Sequence, residues 1–140
     1  MGAFDVDFER LSVLVVEDDG MSRRVLSEQL KSLGVNRIIE AVNGVEALNY
    51  LQKTTPNIVL CDIGLAHIDG IKVLRAVRTG KVGHDRRLPF VLITGNTEKD
   101  TVLAAKELLA DGYMVKPVAL HELNSKISDV IVKRRMQKAN

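Results

Sequence analysis

Tryptophan is absent and aromatic residues make up only 4% of the chain. A surface that stacks the bases of single-stranded nucleic acid needs aromatic platforms, so that class is set aside. Cysteine occurs once, at Cys61. No internal disulfide can form, and Cys61, set in an apolar run, reads as a small buried hydrophobe. A zinc site would depend on histidines, and His67, His84 and His121 show no ligand spacing. No apolar run approaches the ~20 residues of a membrane span. The opening residues are acidic and lack the apolar stretch of a signal peptide, so the cytoplasm is the expected compartment. Net charge is only +2, which gives no global field to draw in nucleic acid or an anionic membrane. What remains is 140 residues, 46% hydrophobic and 27% charged, the make-up of one ordinary globular domain.

Residues 1–10 form an acidic lead-in. Val13–Val16 is an apolar run that ends in Glu17, Asp18 and Asp19. Met21, Val25, Leu26, Leu30 and Leu33 then recur at helical spacing, and Gly34 stops that helix. Arg37–Ala41 is a shorter, more polar strand, expected near an edge. Asn43 with Glu46 forms a capping-box pattern for a helix through about Gln52. Ile58–Cys61 is apolar without alternation and ends in Asp62. Asp69-Gly70 introduces a helix whose face is Ile71, Leu74 and Val77. Thr79–Leu88, with Lys81, Arg86 and Arg87, reads as a solvated loop. Phe90–Thr94 is a fourth apolar run. Thr97 with Asp100 caps a helix whose inward face is expected to be Val102, Ala105, Leu108 and Leu109. Gly112–Val115 is a short strand ended by Lys116-Pro117. Leu120, Leu123, Ile127, Val130 and Ile131 mark the last helix. The basic residues Lys133, Arg134, Arg135 and Lys138 read as cations favouring its C-terminal dipole.

Five strand–helix units at this period imply a parallel sheet with right-handed crossovers and helices on both faces. A barrel would need eight such units. The expected fold is therefore α/β: a five-stranded doubly wound parallel sheet in the order 2-1-3-4-5, with its crevice at the C-terminal ends of the first and third strands.

Parallel strands deliver their C-terminal ends to one rim. Here those ends are Glu17-Asp18, Asp62, Thr94 and Lys116-Pro117. Three carboxylates held close together repel one another, and a hard divalent cation relieves that repulsion. Lys116 supplies a cation and Thr94 a hydroxyl. The set suits phosphoryl transfer to a carboxylate.

In this order and spacing, Val15-Val16-Glu17-Asp18-Asp19, Asp62 with Asp69-Gly70, Thr94-Gly95 and Tyr113-Met114-Val115-Lys116-Pro117 resemble the receiver domain of two-component response regulators, of the chemotaxis-regulator type. The resemblance runs from about Ser12 to Val132. It implies an N-terminal extension over 1–10, a receiver over 11–135 and a basic tail over 136–140. By this resemblance Asp62 is the phosphoacceptor. Glu17, Asp18, Asp62 and the main-chain carbonyl of Gly64 hold Mg²⁺ (or Mn²⁺). Thr94 and Lys116 bind the phosphoryl group, and Thr94 with Tyr113 forms the switch. Gly95 keeps the approach open, and Pro117 follows a cis peptide. Gly64 and Asn96 stand where the family tunes loss of the phosphoryl group. Ala66 replaces the usual proline, which implies a looser loop after Asp62.

The implied partners are a histidine kinase or phosphotransfer protein, and a downstream effector or attached output domain reached through helix 4, strand 5 and helix 5. A phosphorylation-linked dimer is compatible with this, while direct nucleic-acid and membrane contacts are not expected. The implied role is a signalling switch rather than an enzyme. Two rival readings stand beside it. One is a receiver-like binding module that is never phosphorylated. The other is an aspartate-nucleophile phosphatase of the haloacid dehalogenase type, which requires a second Asp where this chain has Gly64.

Overall fold

A computed structural model describes residues 5–95 and 99–139, with the side chains of 99–102 and 139 left out. The expected caps Thr97 and Asp100, the expected inward residue Val102 and the expected tuning position Asn96 therefore lie outside the described residues or side chains.

The elements alternate throughout: β1 Ser12–Val16, α1 Gly20–Ser32, β2 Arg37–Ala41, α2 Gly44–Lys53, β3 Ile58–Asp62, α3 Gly70–Arg78, β4 Phe90–Thr94, α4 Lys99–Glu107, β5 Gly112–Val115 and α5 Leu120–Ala139. All five strands are parallel, in the order β2-β1-β3-β4-β5. This is the expected doubly wound sheet. The last helix runs through Ala139, so residues 136–139 extend α5 rather than form a separate tail.

The apolar runs are continuous because both faces of the sheet are covered. Leu14, Val16, Val59, Cys61, Phe90 and Leu92 point to one face and pack with Ala47, Leu51, Val73, Leu74, Val77 and Ala105 of α2, α3 and α4. Val13, Val15, Ile58, Leu60, Val91 and Ile93 point to the other and meet Leu26, Leu30, Leu123 and Ile127 of α1 and α5. Each fully buried Leu or Ile is worth about 1.5–3 kcal/mol relative to exposure, so neither face could be left to solvent. Val6 and Phe8 of the lead-in join the second cluster. The 3-10 turn Phe8–Arg10, capped by Asp7, thus ties the lead-in down.

Asx side chains start three helices. Asp19 accepts from the Ser22 amide at 2.8 Å, Asn43 from Glu46 at 2.7 Å and Asp69 from Lys72 at 2.9 Å. Each such cap is worth about 1 kcal/mol. At its C-terminus α1 closes through Gly34 at φ +103°, with Val35 N–H donating to Leu30 O at 3.0 Å, as the sequence predicts.

Four positions differ from the predicted inward faces. Leu120 is exposed at the mouth of α5. Met21 and Val25 point to solvent from α1. Leu109 is 62% exposed because α4 has already ended. It takes the left-handed position (φ +58°) of a helix-closing turn in which Leu109 N–H donates to Lys106 O and Ala110 N–H to Ala105 O, both at 3.0 Å.

Arg78, unremarkable in the sequence, closes this end of the fold. Its guanidinium donates to Leu108 O (3.2 Å), Leu109 O (3.0 Å), Arg86 O (3.0 Å) and Leu88 O (2.8 Å). It also pairs with Asp111 Oδ2 at 2.9 Å, and that oxygen accepts from Phe90 N–H at 2.8 Å. One planar fork therefore satisfies carbonyls from the end of α4 and from the loop entering β4. Its side chain is only 10% exposed. Arg78→Ala would strand these acceptors and leave Asp111 unpaired, so urea unfolding is expected to show a loss of about 2–4 kcal/mol. Arg78→Lys should recover less than half of it, since an ammonium cannot span the same acceptors. A loss below ~1 kcal/mol for the alanine variant would show that the fork is dispensable.

Candidate functional site: a carboxylate–lysine cluster at the sheet rim

The polar ends of β1, β3, β4 and β5 converge at one rim because all run in the same direction. Val16 lies opposite Cys61, Asp62 opposite Ile93, and Thr94 opposite Val115. The next residues outward are Glu17 and Lys116. Asp62 is 9% exposed, Glu17 3% and Thr94 4%, whereas Asp18 is exposed. Carboxylate oxygens of Glu17, Asp18 and Asp62 lie within 4.8 Å of one another. Asp19 stands apart as the cap of α1.

Lys116 bridges the two buried acids. Its Nζ donates to Asp62 Oδ2 at 2.8 Å and to Glu17 Oε1. The other Asp62 oxygen, Oδ1, accepts from Gly64 N–H at 3.0 Å. Lys116 N–H donates to Thr94 O at 2.7 Å, which joins the β5 exit to the end of β4. The Lys116–Pro117 peptide is cis.

The electrostatics follow from crowding. Burial, then the hydrogen bond with Asp62, pushes the Glu17 carboxyl up to about 7 despite Lys116. Burial would also raise Asp62, but hydrogen bonds from Glu17, Lys116 and the Gly64 amide outweigh it and hold Asp62 below the usual carboxylate range. Burial would lower Lys116, but its two carboxylate partners keep it above its ordinary value. Asp62 is thus the ionised member and Glu17 the member that takes a proton near neutrality. The cluster is short of positive charge, and its donors are all hard oxygens. These are the conditions a small divalent cation fits.

The loop after Asp62 is pinned by packing. A Cβ at Gly70 would collide with the Asp62 carbonyl oxygen and lie 2.9 Å from Ile63 Cα. A Cβ at Gly44 would collide with the Ile68 carbonyl oxygen and lie 2.8 Å from Ile68 Cβ. Glycine at both places lets the first turns of α3 and α2 press on the loop. Leu65 is buried, and His67 takes φ +64° in a tight turn closed by Ile68 N–H to Ala66 O at 2.8 Å. Gly64 and Gly95 differ from these. Among the described residues, a Cβ at Gly64 would meet only Asp62 Oδ1, at 3.7 Å, and one at Gly95 would meet nothing within 4 Å.

Tyr113 lies half-buried against the α2–α3–α4 face, with Leu92 as its neighbour across the sheet. The predicted residues Glu17, Asp18, Asp62, Gly64, Thr94, Gly95, Lys116 and Pro117 therefore share one rim, and Tyr113 lies two residues before Val115 on β5.

Two features escaped the sequence reading. Arg23 Nη1 donates to the Glu17 carbonyl at 2.9 Å, and its Nε lies 3.6 Å from Glu40, which also accepts from Ser27 Oγ at 3.1 Å. A cation in the first turn of a helix opposes the dipole, and that oddity was the available signal. The second feature is a groove of about 450 Å³ beside the acids, lined by Met21, Val25, Leu26, Lys116 and Pro117. Met21 is 78% exposed and Val25 53%. At 100° per residue these two are centred about 130° from the Leu26, Leu30 and Leu33 stripe, so α1 carries two apolar stripes rather than one.

Comparison with known proteins agrees with this geometry. The family model for the response regulator receiver domain matches residues 13–128. The probable transcriptional regulator ycf27 of Guillardia theta is 32% identical over 136 residues, covering 96% of this chain and 50% of the relative. The chain spans about half the length of the ycf27 relatives it matches. The receiver domain of a modulated diguanylate cyclase from Desulfovibrio desulfuricans G20 superposes with a TM-score of 0.80 at 32% identity, over 91% of this chain and 98% of that one. The receiver domain of the sensor histidine kinase PA1611 from Pseudomonas aeruginosa PAO1, solved with a magnesium ion in its active-site cleft, shares the fold with a TM-score of 0.78 at 24% identity, over 86% and 97% of the two chains. The family match takes in all five strands and the whole acidic rim, and the chain belongs to the receiver domains of two-component response regulators.

Proposed function

We propose that Asp62 accepts a phosphoryl group from a phosphohistidine on a partner kinase or phosphotransfer protein, and that its charge state is the signal. The observation that carries this reading is the state of Asp62. It is an ionised carboxylate at the rim, held by Lys116 Nζ at 2.8 Å and by the Gly64 amide at 3.0 Å. A carboxylate oxygen of Asp62 attacks phosphorus as the phosphorus–nitrogen bond to the donor imidazole breaks. The electron pair leaves with the imidazole, which then takes a proton.

Glu17, Asp18, Asp62 and the Gly64 carbonyl would hold Mg²⁺ or Mn²⁺, with Glu17 acting mainly through water. The ion would supply positive charge to phosphoryl oxygens that carboxylates otherwise repel. The magnesium in the PA1611 cleft supports this reading. Lys116 pairs with the new dianion, and the Thr94 hydroxyl donates to it. Movement of Thr94 opens space that Tyr113 fills, which alters the face of α4, β5 and α5. Phosphorylation thereby biases an existing two-state element. That face would meet an effector, an attached output domain or a second copy of the chain.

Gly64 bears on the lifetime of the signal. With so little around its Cβ position, attacking water reaches the phosphoryl group with little shielding. We assign Asn96 the task of hydrogen-bonding that water. The apolar groove beside Asp62 bears on the donor. Met21 and Val25 offer a helix-borne apolar patch that a phosphohistidine-bearing protein can cover while its imidazole reaches Asp62.

Three outcomes test the reading. With acetyl phosphate and Mg²⁺, or with beryllofluoride, NMR of the wild-type chain is expected to show shifts at Thr94 and Tyr113. Asp62→Asn should abolish them, and persistent uptake by that variant would remove Asp62 from its role. Gly64→Met should lengthen the aspartyl-phosphate half-life roughly three- to tenfold, equivalent to about 1 kcal/mol on the barrier; an unchanged half-life would mean that shielding there does not set the rate. Met21→Lys combined with Val25→Glu should slow transfer from a phosphorylated protein donor by at least about tenfold while sparing acetyl phosphate. Equal slowing of both donors would place the defect in the acceptor site itself.

A further inference from the structure

At the opposite end of the sheet, the fold joins two basic stretches that lie far apart in sequence. Arg86 and Arg87 belong to the loop before β4, and Lys133 and Arg134 to the last turns of α5. Arg134 stitches them together: its Nη1 donates to Arg87 O at 3.1 Å and its Nη2 to Asp85 Oδ2 at 2.5 Å. The result is a groove of about 460 Å³ lined by Arg86, Arg87, Lys133 and Gln137, with Arg78 and the end of α4 forming its wall.

The cations here divide into two sets. Arg78 and Arg134 are structural, each paired with an Asp and bonded to main-chain carbonyls. Arg86, Arg87 and Lys133 are exposed, and among the described residues no hydrogen bond or ion pair engages their side chains. Of the two acids on the lining, Asp111 is already committed to Arg78, which leaves Glu107. A chain of net charge +2 thus gathers three uncommitted cations around one concavity. Cations concentrated in this way repel one another and gain from an anion placed between them. Two guanidinium forks and an ammonium match phosphate oxygens in geometry and in charge. Volume sets the scale: pockets of ~300–1,000 Å³ take small molecules. No aromatic residue is on this lining among the described residues, which disfavours a single nucleic-acid strand. Leu109, 62% exposed on the same lining, offers an apolar edge.

We propose that this groove binds a compact, multiply phosphorylated anion of about nucleotide size, through Arg86, Arg87 and Lys133. The site lies a full strand length from Asp62, at the N-terminal end of β4, and it does not depend on phosphorylation of that residue.

The test is an NMR titration of the full chain without divalent cations, using inorganic tripolyphosphate and, separately, adenosine triphosphate. Saturable shifts are expected at the amides of Arg86, Arg87, Leu109 and Lys133. Arg87→Gln with Lys133→Gln should weaken binding by at least about tenfold, and Arg87→Lys with Lys133→Arg should restore most of it. Phosphoryl uptake at Asp62 should be unchanged in both double variants, so failure here is separable from failure of the acceptor assignment. Arg86→Gln alone supplies an independent variant should the double change disturb the fold. Equal affinity for the two probes assigns the site to the phosphate chain; tighter binding of the nucleotide adds its base and sugar to the contacts. Absence of saturable shifts up to millimolar probe, or affinity unaltered by the glutamine variants, would overturn the proposal. So would tighter binding of duplex DNA or of an acidic peptide than of tripolyphosphate at the same salt concentration.

Discussion

Lys116 sits between two buried carboxylates, and the rim of the sheet is arranged around that contact. Its ammonium touches both Asp62 and Glu17, on strands that are neighbours only in space. A partly buried ion pair of this kind is a poor source of stability, because desolvating the charges costs about as much as their attraction returns. Its importance is chemical. Lys116 helps keep Asp62 ionised, while burial and the nearby Asp62 leave Glu17 holding a proton near neutrality. The site is held with one cation for three acids, a shortage of positive charge that a divalent ion would relieve.

The fold delivers that contact through strand direction. Parallel pairing sends every strand's C-terminal end to the same rim, so residues separated by up to a hundred positions meet without a long loop. Close backbone packing then fixes the loop after Asp62. Gly44 and Gly70 admit the first turns of α2 and α3 where any side chain would strike a carbonyl. By contrast, a Cβ at Gly64 or Gly95 would meet no backbone among the described residues. The same residue type thus serves two ends here: close backbone packing behind Asp62, and no side chain beside its carboxylate.

The two ends of the sheet carry opposite charge. The C-terminal rim gathers Glu17, Asp18 and Asp62, and the N-terminal end gathers Arg78, Arg86, Arg87, Lys133 and Arg134. Arg78 shows how one side chain can close an end of the fold. It collects carbonyls from two segments and pairs with Asp111, which itself holds the first amide of β4.

Apolar runs ending in polar residues marked the central strands and the acidic rim in the sequence, and the alternation of strand and helix gave the parallel sense. Burial on both faces removes alternation, and strand direction then fixes which ends meet. Tertiary structure decided what depends on distances between segments. Leu109 fell outside the core because α4 closed two residues earlier than its periodicity suggested. Met21 and Val25 became a surface stripe because α1 packs through Leu26 and Leu30. Arg23, Arg78 and Arg134 gained their roles from main-chain carbonyls, which carry no sequence signature. A run of residues records which side chains are apolar and how often they recur; it does not record which carbonyl another segment will bring within reach of a guanidinium.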